Sequence, residues 1–284
     1  MSSALNKRAP VPERAILYGL LSVMACGMLL PFAWLVRSSL CDEMTVIQPL
    51  NRLRDFLPPS IHPKNYTEVF RAIPFLRYFV NTVFVTGCVV VGTVVSSSLC
   101  AYAFAFCRVP YRKYVFYGVL ATMMLPGVVT LIPVFILFRE LGWIDTFNPL
   151  IVPAFCGNAF AIFLFRQFFM QHPPQLIEAA RIDGATSLQI YSQIIIPLSR
   201  PAVITVAIFA FMGSWNDFMR PLIFLNSQEN WTLQLGLQSF QGQVVNEWHL
   251  LMAAAVLVLA PVLVVFFCLQ RYFIRGIALS GLKG

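Results

Sequence analysis

From Ile16 to Val36 the chain carries no charge, and the run is fenced by Arg14 and Arg37. A bilayer core about 30 Å thick is crossed by about 20 apolar residues in helix. Hydrocarbon offers the backbone no hydrogen-bond partner, so a run of this kind has to close its own bonds as a helix. Five more runs follow: about Tyr78 to Phe106, Tyr114 to Phe138, Leu150 to Phe165, Ala202 to Leu225 and Leu250 to Cys268. The first is too long for a signal-peptide core and lacks a small-residue cleavage site, so it reads as a retained span. The fourth is the most interrupted, by Pro153, Gly157 and Asn158. The expectation is an all-α integral membrane protein: a short N-terminal segment, 1–15, then one six-helix transmembrane domain over 16–284.

Composition agrees. Residues of the hydrophobic class make up 58% of the 284 and charged residues 11%, against about 25% charged in soluble domains. The net charge of +8 raises the question of nucleic acid. The basic residues are scattered between apolar runs and form no stripe, so nucleic acid is not an expected partner and membrane lipid is. The seven cysteines have no metal-ligand spacing, and those inside the runs read as small hydrophobes. His62, His172 and His249 all lie outside the runs, so no metal site is expected.

Lys and Arg set orientation. Lys7, Arg8 and Arg14 precede the first run, and Arg108, Arg112 and Lys113 separate the second from the third. Arg166, Arg181 and Arg200 lie between the fourth and fifth, and Arg271, Arg275 and Lys283 follow the sixth. These twelve share one side. The other side has Arg139, Arg220 and the long segment 37–77, whose six basic residues are accompanied by four acids. Both termini and the loop 166–201 are therefore expected in the cytoplasm. The segment 37–77, rich in proline, is expected outside as an ordered loop with one short helix.

The energy source is constrained by what the spans lack. Ion-coupled carriers place ionisable side chains at membrane depth, and runs one to four and six have none in their apolar cores. Nor does the chain contain the Gly-x4-Gly-Lys-Ser/Thr phosphate loop. A transporter with neither device draws its energy from a partner. An ion-coupled secondary carrier remains the alternative from another class. A membrane hydrolase has no acid or His pair inside the spans to work with, and no catalytic residue is expected.

Within 166–201, His172-Pro173-Pro174 suits a helix start. A short helix over Gln175 to Ile182 is expected, with Glu178 near its N-terminal end, where the helix dipole favours negative charge. Ile177, Ala180, Arg181 and Gly184 fall on or near one face. Asp183-Gly184-Ala185 permits a tight turn through a positive φ at glycine. Thr186 or Ser187 can cap a second helix from Leu188 to Ile196, which Pro197 stops. Two readings fit: a surface helix lying on the bilayer, or a small-residue knob at Ala179, Ala180 and Gly184 that enters a cleft on a soluble partner.

These residues carry a resemblance. Glu178, Ala179, Ala180, Gly184, Ile194 and Pro197 match the pattern Glu-Ala-Ala-x3-Gly-x9-Ile-x-Leu-Pro of bacterial ABC-importer permeases, with Ile196 where the pattern has Leu. Ala180-Arg181-Ile182-Asp183-Gly184-Ala185 resembles the carbohydrate-uptake branch, which includes the maltose- and glycerol-phosphate-transporter permeases. Ala101-Tyr102-Ala103-Phe104, Trp215-Asn216, Gln270-Arg271 and Gly281-Leu282-Lys283-Gly284 look similar to the same branch. The resemblance implies a type I importer permease in the bacterial inner membrane. It implies a second, related permease, a dimer of cytoplasmic ATPases that bind ATP and Mg, and an extracytoplasmic solute-binding protein. The helix around Glu178 and Asp183 would dock on an ATPase. The tail 271–284, through Lys283 and Gly284, would reach the ATPases or stay solvated. The implied cargo is a sugar or oligosaccharide. A glycerol phosphate or polyol is the alternative, because Phe163-Leu164-Phe165-Arg166-Gln167-Phe168-Phe169 looks like the glycerol-phosphate branch.

For the solute pathway, Gly213-Ser214-Trp215-Asn216 breaks the fifth run. At 1.5 Å per residue Trp215 lies about 20 Å from Ala202. Trp215 beside Asn216 suits a sugar ring and its hydroxyls. The same pair also suits an interfacial indole with an amide bonding a neighbouring helix. Asn158, after Gly157, is a further pathway candidate. Pro126-Gly127 and Pro133 are expected to kink the third run.

Overall fold

The computed structural model of the chain describes residues 11–48, 57–58, 60–107, 110–241 and 247–280. Lys283 and Gly284 lie outside the described residues. Every secondary-structure element among the described residues is helical, with turns and short links between them and no β-strand element. Four helices are long and apolar enough to cross a bilayer, and six when each of two sharply bent pairs is taken as one span. The chain divides into two compact units: Met1–Ile73 with Ser239–Leu259, and Pro74–Gln238 with Ala260–Gly284.

In the first unit, α1 (Val11–Ser39) carries no buried residue in its most apolar stretch. Helices α2 (Glu43–Ile47) and α3 (Lys64–Ala72) follow. Among its described residues the segment after the first span thus holds two short helices rather than one, and α1 itself continues past Arg37. What orders the segment is the buried Asn65, whose Nδ2 donates to the carbonyls of Ser39 at 2.9 Å and Cys41 at 2.8 Å. His249, at the start of the last helix, sets its Nδ1 2.5 Å from the Glu43 carboxylate.

The second unit is organised by α4 (Phe75–Phe106). Its buried face is built from small and hydroxylated residues, among them Thr82, Thr86, Gly92, Thr93, Ser97, Ser98 and Ala101. In lipid, apolar burial discriminates little between helices; close approach and interhelical hydrogen bonds hold them, the latter about 0.6 kcal/mol each. Five hydroxyls of α4 reach five different neighbours. Thr82 Oγ1 accepts from Leu233 N at 2.8 Å, and Thr86 meets Ser214 at 3.2 Å. Ser96 donates to Ala154 O at 2.9 Å, and Ser97 accepts from Asn158 N at 3.0 Å. Ser98 meets the Tyr191 hydroxyl at 2.8 Å. Together they contribute about 3 kcal/mol.

The third apolar run becomes α5 (Arg112–Thr122) and α6 (Gly127–Glu140), bent by 96°. The break is at Thr122–Pro126, since Pro126 cannot continue a helix from the preceding residues; Pro133 stays inside α6. The fourth run is α7 (Asn148–Ile151), a 3-10 turn (Val152–Cys156), a bend at Gly157 with φ of +91°, and α8 (Ala159–Phe169). Asn158 caps α8 through Oδ1, 3.0 Å from Ala161 N.

After α8 come α9 (Pro174–Ile182), α10 (Ser187–Gln189), a π-helical stretch (Ile190–Ile195) and α11 (Ile196–Leu198). Then α12 (Arg200–Trp215) leaves at 82°. The fifth run is not continuous to Leu225: α12 ends at Trp215 and α13 (Met219–Phe224) follows. A short α14 (Leu233–Leu237) and the last apolar helix, α15 (Trp248–Ser280), complete the chain.

Candidate functional site

Two places in the second unit hold the residues singled out by sequence. The first is the reversal from α9 to α10. Pro174 opens α9, where a missing N–H costs nothing. The helix is closed by two bonds, Gly184 N to Arg181 O at 3.1 Å and Ala185 N to Ala180 O at 2.9 Å. This is the Schellman arrangement, and it needs the positive φ that Gly184 adopts, +81°. Only Ala185 stands between that closure and the next cap. Thr186 and Gln189 form a reciprocal capping box: Thr186 N donates to Gln189 Oε1 at 2.8 Å and Gln189 N to Thr186 Oγ1 at 3.3 Å. Both helix ends are thus satisfied within one short turn.

The reversal is anchored from one side. Ile177, Ala180, Ile190 and Ile195 are buried in one apolar cluster with Ala101, Tyr102, Phe165 and Phe169. The opposite face is bare. Glu178, Ala179, Asp183 and Gly184 are exposed, and so are two large apolar side chains, Ile182 at 86% and Leu188 at 67%. The structure therefore divides the expected small-residue knob. Ala179 and Gly184 lie on the open face, while Ala180 points into the protein as part of the anchor, because α9 buries the stripe containing Ile177.

Pro197 does not stop the second helix, which runs on to Leu198. Proline at 197 cannot donate to the carbonyl four residues back and crowds it. The preceding turn is widened to π over Ile190–Ile195, which relieves that crowding. Ile194 is half-buried there and Pro197 is exposed. At the base of the loop, burial holds the His172 imidazole below its usual pKa.

The second place is a cavity of about 370 Å³. It is bordered by Thr93 of α4, the bend at Gly157 and Asn158, Gly213 and Ser214 of α12, and Arg220 of α13. Of the four pathway candidates, Asn158 and Gly213 line it, and Trp215 and Asn216 do not. Trp215 is 2% exposed, with Phe211 stacked 5.3 Å away and Phe79 edge-on at 6.1 Å. Asn216 is exposed, with its amide donating to Met212 O at 2.9 Å and so closing the end of its own helix. Thr93, Ser214 and Arg220 also line the cavity and were not among the candidates. Arg220 reads from sequence as a loop cation because an uninterrupted fifth helix would carry it about 27 Å from Ala202, to the far edge of a core of about 30 Å. The break after Trp215 turns it back, and Asp217 fixes it by accepting from both its Nε and its backbone N–H.

Residues 94–279 match the family described as binding-protein-dependent transport system inner membrane component. The arabinooligosaccharides transport system permease protein AraQ of Halalkalibacterium halodurans is 34% identical over 230 residues, 81% of this chain and 82% of that one. The melibiose/raffinose/stachyose import permease protein MelC of Bacillus subtilis is 30% identical over 270 residues, covering 93% and 95%. The sn-glycerol-3-phosphate transport system permease protein UgpE of Escherichia coli is 34% identical over 206 residues, covering 72% and 73%. Among solved structures, a chain of a bacterial ABC transporter involved in the import of the acidic polysaccharide alginate superposes with a TM-score of 0.82. It is 26% identical and covers 95% of this chain and all of that one.

Proposed function

The chain belongs to the family of binding-protein-dependent transport system inner membrane components, and from that premise we propose that it is the permease subunit of an ATP-driven importer of a sugar or oligosaccharide. In this reading it pairs with a second, related permease and alternates access to a solute handed over by an extracytoplasmic binding protein. ATP and Mg are bound by a cytoplasmic ATPase dimer. The chain itself performs no catalysis. The twelve basic residues on one side favour both termini and the α9–α10 reversal in the cytoplasm. Relatives that carry arabino-oligosaccharides or raffinose-type sugars support the choice of cargo.

The observation that carries the reading is the reversal itself. It is capped at both helix ends, rooted by Ile177 and Ala180, and bare on its outer face, where Glu178 and Asp183 flank Ile182. A solvated loop gains nothing from an 86% exposed isoleucine on so rigid a turn. A docking element does: the apolar side chain fills a partner's groove and Glu178 offers a charge-assisted bond to a partner Arg or Lys. In this reading Ala179 and Gly184 let the partner approach closely, Ile194 and Pro197 shape the supporting helix, and Lys283 and Gly284 reach the ATPases. Co-purification with the ATPase tests it. Glu178→Lys and Ile182→Glu should both reduce ATPase recruitment and abolish uptake while the protein keeps its membrane level and thermal midpoint. Normal recruitment and uptake in both variants would overturn the assignment.

A further inference from the structure

We propose that Arg112 and Arg166 form a binding site for the phosphate of an anionic phospholipid, drawn from the cytoplasmic leaflet in the orientation given above. The proposal goes beyond the importer reading and depends on neither its cargo nor its ATPase.

Two guanidinium groups from different helices converge on the end of a third. α4 ends at Phe106 and leaves its last carbonyls without partners inside the helix. Arg112, at the start of α5, donates through Nη1 to Ala105 O at 3.3 Å and to Cys107 O at 3.0 Å. Arg166, in the last turn of α8, donates through Nε to Phe104 O at 3.4 Å. Its guanidinium carbon also lies 4.3 Å from the centre of the Phe116 ring.

Capping alone leaves this charge unbalanced. A helix C-terminus offers the equivalent of about half a negative charge, and two full positive charges meet it here. α4, α5 and α8 contain no Asp or Glu. Among the described residues neither arginine makes an ion pair. The charged side chain that acts on Arg166 from close by is Arg112, a like charge. Beside an apolar medium such repulsion is poorly screened. The arrangement calls for an anion.

Donors for that anion are in place. Arg112 keeps Nε and Nη2, and Arg166 keeps Nη1 and Nη2, without a hydrogen-bond partner among the described residues. Both side chains are half-buried, so they are held by protein yet open on one side. Planar guanidinium forks of this kind match the oxygens of a phosphate.

The surroundings choose a lipid over a soluble anion or an acidic protein. Arg166 follows directly on the apolar run that ends at Phe165, which sets it at the membrane edge. α5 is about 16 Å long, too short to cross a core of about 30 Å, and α6 leaves it at 96°. Its exposed residues include Tyr114, Val115 and Tyr117, and Lys113 holds its Nζ 5.7 Å from the Tyr117 ring. Tyrosine has an apolar body and a polar tip and concentrates at headgroup level. Basic pockets between helices on the cytoplasmic side are where acidic headgroups settle.

The test uses the complete importer in detergent, with lipid binding read by native mass spectrometry. The probes are phosphatidylglycerol and phosphatidylcholine with the same acyl chains. Phosphatidylglycerol is expected to bind the wild type more tightly, and equal binding of the two overturns the proposal. Arg112→Gln combined with Arg166→Gln should weaken phosphatidylglycerol about tenfold or more, as loss of charge-assisted bonds requires, and leave phosphatidylcholine unchanged. Arg200→Gln, which removes an exposed cation at the head of α12, should change neither. If the glutamine pair does not assemble, Arg112→Lys with Arg166→Lys replaces it. Charge is then kept and the fork lost, and affinity should still fall several-fold. Unchanged phosphatidylglycerol binding in the pair that assembles overturns the site. An equal loss in Arg200→Gln does the same, by showing a diffuse effect of surface charge. Displacement of the lipid by inorganic phosphate assigns the arginines to a soluble anion. Release of the ATPase subunits with lipid binding intact assigns them to a protein partner. Either result overturns the lipid site and leaves the importer reading standing.

Discussion

His172 Nε2 lies 2.9 Å from Ser199 Oγ, joining the chain two residues before α9 to the residue that separates α11 from α12. That bond closes the base of the whole reversal, since Ser199 is fully buried and His172 half-buried. Burial lowers the imidazole's pKa from its usual value of about 6.5. The folded state therefore prefers neutral His172, and its contribution to stability is complete above about pH 6.5 and is lost as pH falls below it. Amide protection within 173–198, taken relative to the intrinsic exchange rate at each pH, should be weaker at pH 5.5 than at pH 7.5, and His172→Gln should remove that difference. Equal protection at the two pH values in the wild type would contradict a closing role for the bond.

Neighbouring alanines should respond oppositely. Ala180 is 7% exposed and part of the anchor, so Ala180→Leu overpacks a filled cluster and should cost about 1–3 kcal/mol. Ala179 is exposed. Ala179→Leu should leave the thermal midpoint unchanged and impair only ATPase recruitment. A midpoint that falls equally in both variants would show that both alanines face inward.

Trp215 is buried between aromatic rings and does not line the cavity. Trp215→Ala removes the partner of Phe211 and Phe79 and should cost about 3–5 kcal/mol. Trp215→Phe should retain the affinity for a carried sugar. A tenfold loss of affinity in a normally stable Trp215→Phe variant would place the indole in the pathway after all.

Gly236 is held by Tyr78. A Cβ at 236 would come within 2.3 Å of the Tyr78 ring, which is 1% exposed and cannot swing away. Gly236→Ala should therefore lower stability by about 1–3 kcal/mol. Adding Tyr78→Leu should recover part of that loss, and a double-mutant cycle reads the coupling.

Asp145 holds two loops together. Its carboxylate accepts from the backbone N–H groups of Asn226, 3.0 Å away, and Ser227, 2.9 Å away. The Ser227 hydroxyl, with further bonds from Ser227 N, Asn230 and Asn226, takes its pKa down to about 2. Its stabilising effect is present above the unfolded value of about 3.9 and disappears as pH falls toward 2. Asp145→Ala should lower the thermal midpoint at pH 7, and the difference from wild type should shrink on acidification toward pH 3. A difference independent of pH would assign the effect to the backbone, where Asp145 has a φ of +62°.

Features encoded locally were readable from sequence. The apolar runs are visible because bilayer thickness sets a length, and the turn at Gly184 and Thr186 because caps are short-range signals. What was hidden depends on residues far apart in the chain. Ala180 and Gly184 look alike as small residues, and only the position of the α4–α8 cluster decides that one is buried. Arg220 lines the cavity and Trp215 does not, because the break after Trp215 redirects the chain, and the aromatic neighbours that enclose Trp215 include Phe79 of another helix. Pro197 reads as a stop because sequence alone does not show that the preceding turn widens to accommodate it.

The closure of α9 and the opening of α10 are separated by the single residue Ala185. Ala185 lies in the non-helical turn, so one residue inserted there would lengthen the link by up to about 3.8 Å, change the direction in which α10 leaves α9, and alter the bearing of the exposed Leu188 relative to Ile182. Chain length at this point acts as an index mark: it fixes the bearing of one exposed apolar side chain against the other. Substitutions that preserve the count should be far easier for this protein to absorb than any insertion or deletion between Gly184 and Thr186.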